Sequence, residues 1–283
     1  MSGFHEGELA VQQRAGVRHL AGRLSGMLGA PNLPAGWLAE RDLAVLTARD
    51  QDGRLWSSPL LAPPGFLRVE GSGLRVGAAL PAGDPLAGMP DGQQVGLVAI
   101  DFPTRRRLRV NGTLTGDLLQ VDQAYGNCPQ FIQQRRVTPS PGEARWSTDF
   151  DADLVRRADT VFLGTTHPTR GVDSSHRGGP AGFVRVDGDD LWWPDYHGNN
   201  MFNSLGNLAA DDEASLLFLD FGTGRTLRLS GRAKVEWTAP GAPGDDDHTG
   251  RRVRFTPLHV VQGDHGPKAD DVVPYRRNPT LTR

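Results

Sequence analysis

The sequence is short of cysteine, lysine and long apolar runs, and each shortage excludes something. Cys128 is alone in 283 residues, so an intrachain disulfide and a cysteine-cluster metal site are both ruled out. Only Lys234 and Lys268 among the 31 basic residues are lysines, and 33 acidic residues bring the formal net charge to −2 with both signs scattered. That pattern lacks the concentrated basic face that nucleic acid requires. No stretch approaches the ~18–20 apolar residues of a membrane span, and Met1–Glu8 has neither the basic leader nor the apolar core of an export signal. A cytoplasmic protein is the expectation. Hydrophobic residues are only 37%, whereas Gly 36 and Pro 21 are plentiful, a balance that suits many short strands joined by turns. The fold class expected is mainly β with peripheral helices.

What the chain does contain is a duplication. The run from Ala44-Val45-Leu46 to Gly71 aligns without a gap on the run from Val161-Phe162-Leu163 to Gly188, and Ile100–Gly112 matches Leu219–Gly231. Length and repeat therefore agree on two domain-sized units, which can pair within one chain as a homodimer would and form a cleft at their junction. An N-terminal helical segment, 1–42, holds an amphipathic helix from Glu6 to about Leu28, ended by Pro31 and Pro34, and a short turn or helix at Ala35–Arg41. The first unit, 43–140, carries strands near Leu43–Leu46, from Trp56, at Gly65–Val69, Val95–Phe102 and Leu108–Leu114, then a trailing helix over Val121–Arg136. Pro139–Gly142 closes it, with a linker near 138–146. The second unit, 141–262, opens with a helix at Asp151–Ala158 and repeats the strand series from Val161 to Trp237. A flexible polar insertion at Ala239–Asp247, a strand at Arg251–Val261 and a flexible tail, 263–283, complete the chain.

Polar donors gather in the second unit, at Asp173-Ser174-Ser175-His176-Arg177, at Pro194-Asp195-Tyr196-His197-Gly198-Asn199-Asn200-Met201-Phe202-Asn203, and at Arg225-Thr226. Hydroxyls, amides and guanidiniums at strand ends and a helix start are what a phosphate group needs. Flanking Trp192, Trp193, Tyr196, Met201 and Phe202 can wall a planar ring, which points to a nucleotide-like cofactor. Blander readings stand beside these: Ser174 and Ser175 as ordinary strand hydroxyls, the asparagines as helix caps, Arg105-Arg106-Arg107 and Arg109 as a solvated strand face, and Cys128 as a small buried hydrophobe. The histidines and aspartates lack metal-ligand spacing, so no metal is expected.

The series Ser-Ser-x-Arg, Gly-Phe-Val-x-Val-x-Gly and Gly-Asn-Asn, followed by a basic strand, resembles the pyridoxamine 5′-phosphate oxidase-like family of FMN-binding split barrels. Phe4-His5-x-Gly7-Glu8, Asn127-Cys128-Pro129-Gln130-Phe131-Ile132 and Gly198–Asn203 make it similar to the two-copy branch called flavin-nucleotide-binding proteins. The resemblance implies two tandem split barrels forming an intramolecular pseudo-dimer, with FMN in the groove between them. It implies that Ser174, Ser175, His176 and Arg177 run beside the flavin toward its phosphate, that Pro194, Asp195 and Tyr196 meet the ring edge, and that Gly198, Asn199, Asn200 and Met201 form the phosphate loop. The family often carries a basic residue in that loop, where this chain has asparagine. Arg225 and Thr226 would lie near the ring, with Trp56, Ser57 and the Arg105–Arg107 cluster approaching from the first copy. In the first copy, Ala82-Gly83-Asp84-Pro85-Leu86-Ala87 replaces the Asn-rich loop, and an aspartate there opposes a phosphate dianion.

The resulting expectation is a flavin-dependent oxidoreductase passing electrons or hydride between FMN and a small molecule or NAD(P)H, and not a true pyridoxamine phosphate oxidase. His176 and Tyr196 are the nearest candidates for a proton donor. The alternatives are a non-catalytic flavin carrier or sensor, and a split barrel turned to haem or a deazaflavin. Homodimerisation through the barrels would suit this architecture.

Overall fold

Alternation of apolar residues at period two organises both halves of the chain. The computed structural model describes residues 3–26, 28, 33–138 and 145–282. The first unit holds β1 (Leu43–Arg49), β2 (Leu55–Leu61), β3 (Leu67–Glu70), β4 (Gly73–Val76), β5 (Gln93–Asp101), β6 (Arg106–Thr115) and β7 (Leu118–Gly126), in the sheet order β2-β1-β5-β6-β7-β4-β3. The second holds β8 (Thr160–His167), β9 (Gly171–Gly178), β10 (Arg185–Asp187), β11 (Asp190–Pro194), β12 (Glu213–Asp220), β13 (Arg225–Trp237) and β14 (Arg251–Gly263), in the order β9-β8-β12-β13-β14-β11-β10. Each strand of the second sheet thus takes the place of the strand seven before it. The chain is mainly β, and its duplication is structural as well as sequential.

The strands at the junction are buried on both faces, which is why they read as continuous apolar runs. On β1, Ala44, Leu46 and Ala48 point into the first unit's own core while Leu43 and Val45 point at the other unit. On β12, Ala214, Leu216 and Phe218 fill the second core while Leu217 and Leu219 face outward to the first. A shared third core results, in which Val98, Ile100 and Phe102 meet Phe162, Leu217 and Phe221. Backbones touch where a side chain would not fit: a Cβ on Gly96 of β5 would stand 2.5 Å from the Ser174 nitrogen of β9.

Among the described residues, five short helices surround the sheets: α1 (Glu6–Arg14), α2 (Ala21–Ser25), α3 (Ala35–Ala39), α4 (Ala152–Arg157) and α5 (Asn203–Ala210). Among the described residues, no helix is long and apolar enough to cross a membrane. The single N-terminal helix expected from Glu6 to Leu28 is interrupted. α1 ends before Gly16, which takes the left-handed φ of +73°, and a 3₁₀ turn at Arg18–Leu20 precedes α2. α1 serves the second unit, since a Cβ on Gly7 would strike the Gly206 carbonyl oxygen of α5 at 2.2 Å. Glu8 closes the contact, accepting from the His5 backbone N–H at 2.8 Å and the Asn203 amide at 3.1 Å.

Three further expectations are corrected. The trailing helix over Val121–Arg136 is absent: Leu118–Gly126 is strand β7, antiparallel to β6, because pairing with β6 satisfies its backbone and buries Leu119, Ala124 and Tyr125. The insertion at 239–247 is bonded into the body, Asp246 pairing with Arg185 and Asp247 accepting from the His197 N–H at 2.6 Å. The tail is bonded as well, Lys268–Ala269 pairing with Val137–Thr138 and Val273 with Gln134. Buried carboxylates and open strand edges both demand partners, and these segments supply them. Pro31, the Pro139–Gly142 turn and most of the 138–146 linker lie outside the described residues.

Candidate functional site

A cleft opens where β6 and β7 of the first unit face β9 and the β11–α5 loop of the second. Strand alternation sends Arg107 and Arg109 of β6 to the same side, and both line it. His176 and Arg177 come from β9. Beyond β7 the chain adds Asn127, Cys128 and Phe131, and the loop after β11 adds Pro194 to Asn203. That loop turns back through Asn200 (φ 59°) and Phe202 (φ 58°), two left-handed residues just before α5. Asn199 bridges the units, its amide donating to Asn127 Oδ1 at 2.7 Å while its Oδ1 accepts from the Met201 N–H at 3.1 Å. Phe131 and Tyr196 stack obliquely at one wall, ring centroids 4.9 Å apart.

The electrostatics of this cleft are unbalanced. Arg109 donates to Asp173 at 2.9 Å, and Asp195 receives both Arg177 at 2.9 Å and Arg251 at 3.0 Å. Arg107 has no carboxylate partner among the described residues. Its guanidinium donates instead to His176 Nδ1 at 2.6 Å and to the His176 carbonyl at 3.3 Å. Four guanidiniums against two carboxylates leave an excess of two positive charges. Burial, with Arg109 and Arg177 close by, pulls Arg107 down to about 9, a measure of how much it wants a counter-ion.

His176 cannot share that charge. Burial and the surrounding arginines hold its imidazole well below the ordinary value, and since arginine can only donate, Nδ1 is the acceptor and the proton sits on Nε2. The ring is wedged edge-on between Phe102 and Phe162. Tyr196 is committed elsewhere, for its hydroxyl donates to Asp246 at 3.2 Å, and burial followed by that carboxylate pushes its phenol up. Neither side chain presents a loose proton to the cleft.

The structure brings together His176, Arg177, Pro194, Asp195, Tyr196, Gly198, Asn199, Asn200 and Met201. It does not bring the rest. Ser174 and Ser175, within β9, are wholly buried, Ser175 donating to the Leu163 carbonyl at 3.1 Å. Trp56 is in the first core, its indole N–H on Asp50 at 2.8 Å, and Ser57 bonds Thr47 and Ser215 at the junction. Arg225 pairs with Asp151 and Thr226 donates to the Gly263 carbonyl. For Thr226 the reason is the pseudo-twofold: it occupies the place of Arg107 in the repeat and so belongs to the second, symmetry-related groove, where Arg228 donates to it. Of the cleft residues supplied by the first unit, Tyr125 was not singled out, Arg109 and Cys128 were read as a solvated strand face and a buried hydrophobe, and Asn127, Gln130 and Phe131 entered only through the resemblance. Their available signal was the one-sided alternation of Arg107 and Arg109.

The second groove is filled. Arg228, in the place of Arg109, meets Asp84 at 2.9 Å with both side chains buried, and Ser58 donates to the same carboxylate at 2.6 Å. The Trp146 ring caps Arg228 at 5.0 Å and its N–H bonds the Ala82 carbonyl at 2.8 Å.

Comparison with known proteins finds no match among curated sequences. Solved structures similar to part of the chain include a protein related to general stress protein 26, of the pyridoxinephosphate oxidase family, from Clostridium acetobutylicum (17% identity, 46% of this chain and 89% of that one, TM-score 0.29). Others are an FAD-binding protein from Mesorhizobium loti (12%, 42% and 96%, TM-score 0.31) and the haem storage protein HutZ from Vibrio cholerae (10%, 38% and 88%, TM-score 0.30). The sequence model of the family described as Pyridoxamine 5'-phosphate oxidase matches residues 148–243, which include β8 to β13, His176 and the Asn-rich loop. It is thus the second barrel, about a third of the chain, that matches the model of the pyridoxamine 5′-phosphate oxidase family.

Proposed function

We propose that the open cleft holds one FMN per chain and that the protein is a cytoplasmic FMN-dependent oxidoreductase acting on a small molecule, with NAD(P)H as its reductant. The observation that carries this reading is Arg107: a partly buried guanidinium without a carboxylate, set among Arg109 and Arg177, in a site with two positive charges in excess. A phosphate monoester near neutral pH carries close to two negative charges, so it balances that site. Inorganic phosphate alone would leave the Phe131–Tyr196 wall without a purpose, whereas a planar ring uses it.

Within this reading Arg107, Arg109 and Arg177 hold the phosphate, and the Asn199–Asn127 bond ties the loop of one barrel to the other across the cleft. Neutral His176 orients Arg107 through Nδ1. FMN, once bound, supplies the electron and hydride chemistry while the chain supplies binding and exclusion of water. Both sides of the cleft come from a single chain, so a homodimer is compatible with the site and not required by it. The two-copy flavin-nucleotide-binding branch is the placement that the duplicated sheet order favours.

A carrier or sensor without turnover is the second reading, and one observation favours it: His176 and Tyr196 both have their polar atoms engaged or buried. Haem is the less favoured ligand, because His176 offers iron no free imidazole. The test is a visible spectrum of the purified protein before and after NADH or NADPH under nitrogen. Flavin bands that bleach support the oxidoreductase, bands that persist with either donor favour the carrier, deazaflavin or haem bands replace FMN, and a colourless protein that refuses added FMN overturns the reading.

A further inference from the structure

Two segments that no strand of either barrel requires wrap the outside of the cleft. The insertion brings Asp246, whose carboxylate is fully buried. It takes Arg185 through both oxygens at 2.7 and 2.8 Å, the Tyr196 hydroxyl at 3.2 Å, and the Thr282 N–H and hydroxyl at 2.8 and 3.0 Å. Segment 273–282 brings Tyr275, whose ring meets Phe131 edge-on at 5.5 Å. Gln133, 1% exposed, ties that segment down by accepting from the Tyr275 N–H at 2.7 Å and the Asn278 amide at 3.0 Å. Its own amide donates to the Phe131 carbonyl at 3.1 Å and the Gly179 carbonyl at 2.9 Å.

The two aromatic rings that form one wall of the cleft, Phe131 and Tyr196, are therefore each held from behind by one of these segments. Phe131 has a left-handed backbone (φ 61°), a conformation that a bulky residue keeps only when its surroundings fix it. Tyr196 would leave a buried carboxylate with one donor fewer if it turned toward solvent. Thr282 joins the two halves, since it binds Asp246 from the far end of the segment that carries Tyr275.

We propose that segment 273–282 and Asp246 form a clasp that sets the Phe131–Tyr196 wall, with Tyr275 and Asp246 as positioning residues for the planar ring of the ligand. This rests on the flavin reading above for the ligand, but not for the clasp itself. Neither positioning residue reaches into the cleft, so each acts through the ring in front of it.

The test uses the full chain, a chain ending at Val272, and the variants Tyr275→Ala and Tyr275→Phe. Two readouts are taken: FMN affinity with the visible circular dichroism of the bound flavin, and amide hydrogen exchange of residues 127–133 and 194–202 in the ligand-free protein. Loss of one aromatic contact should weaken FMN roughly three- to tenfold in Tyr275→Ala and change the flavin dichroism, with faster exchange in both segments. Tyr275→Phe keeps the ring and should restore all three. The shortened chain should show the larger loss, and if it does not fold the Tyr275 pair decides. Unchanged exchange and unchanged FMN binding in Tyr275→Ala would overturn the clasp. If the full chain binds no FMN, the flavin reading fails, and the exchange data alone uphold or overturn the clasp.

Discussion

The two grooves of this molecule are built from equivalent strands and have opposite fates. Each places a β6-type strand of one barrel against a β9-type strand of the other, and each has an arginine at the matching position, Arg109 or Arg228. In the open groove, Arg109 has Asp173, but Arg107 beside it has no carboxylate among the described residues, and helix α5 with its Asn-rich loop frames the mouth. In the closed groove, Thr226 replaces Arg107, Asp84 neutralises Arg228, and Trp146 lies across the top. A fold with pseudo-twofold symmetry thus offers two sites, and a few side chains leave one with an arginine short of a carboxylate while the other makes its own internal ion pair.

Breaking the closed groove should have the largest effect on stability. Asp84→Ala leaves Arg228 buried with no counter-charge, and loss of one partner of a buried pair costs about 3–5 kcal/mol; a urea melt should show this, and a cost below about 1 kcal/mol would mean that the pair is solvated. Removing plug and counter-ion together, as Trp146→Gly with Asp84→Ser, exposes Arg228 and Ser58. It should add a second, weaker phosphate site, visible as an increase in bound phosphate per chain by calorimetry.

The open groove should respond in affinity more than in stability. Arg107→Ala removes charge-assisted contacts worth about 1.5–3 kcal/mol, so FMN should bind roughly 10- to 150-fold more weakly while the melting temperature of the ligand-free protein stays level or rises. A fall in that melting temperature would show that Arg107 is structural.

Helix α1, packed on the α5 that frames the open groove, adds a pH dependence. Burial raises Glu8 to about 7, and burial lowers His5 to about 4. A carboxyl whose folded value is raised gives stability that is complete below its ordinary value and lost as pH climbs toward 7. A histidine whose folded value is depressed gives stability that is complete above its ordinary value and lost as pH falls toward 4. The two trends oppose each other between about pH 4.5 and 6.5, where stability should be nearly flat, with a further loss from Glu8 up to pH 7. Glu8→Gln removes one of them: at pH 8 the variant should be more stable than the parent by at most about 3 kcal/mol, and its stability should rise with pH between 4 and 6.5. Parallel pH curves for parent and variant would contradict the assignment to Glu8.

Much of this was legible in the residues. The duplication survives as one sheet order repeated seven strands later, because gapless alignment of Ala44–Gly71 on Val161–Gly188 preserves strand parity and hence which face each side chain takes. That His176, Arg177 and the loop from Pro194 to Met201 line one cleft was legible, since they fall in two short contiguous runs of the sequence. Arg109, Tyr125 and Phe131 were harder to assign because they reach the cleft across the barrel junction, and nothing local says which strand of the partner unit will face it. Trp56, Ser57 and Arg225 failed because the first core, the junction and Asp151 claim them, and Thr226 because it belongs to the other groove. The helix expected at Val121–Arg136 failed because pairing with β6 outweighed local propensity. The insertion and tail failed because polar composition does not reveal that Asp246 will find Arg185, Tyr196 and Thr282.

The central claim is that one groove takes an anionic flavin and its twin does not. Equilibrium dialysis of FMN against the intact protein, repeated with Arg107→Ala and with excess inorganic phosphate, tests it most directly. The account predicts one FMN per chain, competition by phosphate and a clear loss of affinity in Arg107→Ala; two equal sites, no binding, or binding indifferent to Arg107 would contradict it.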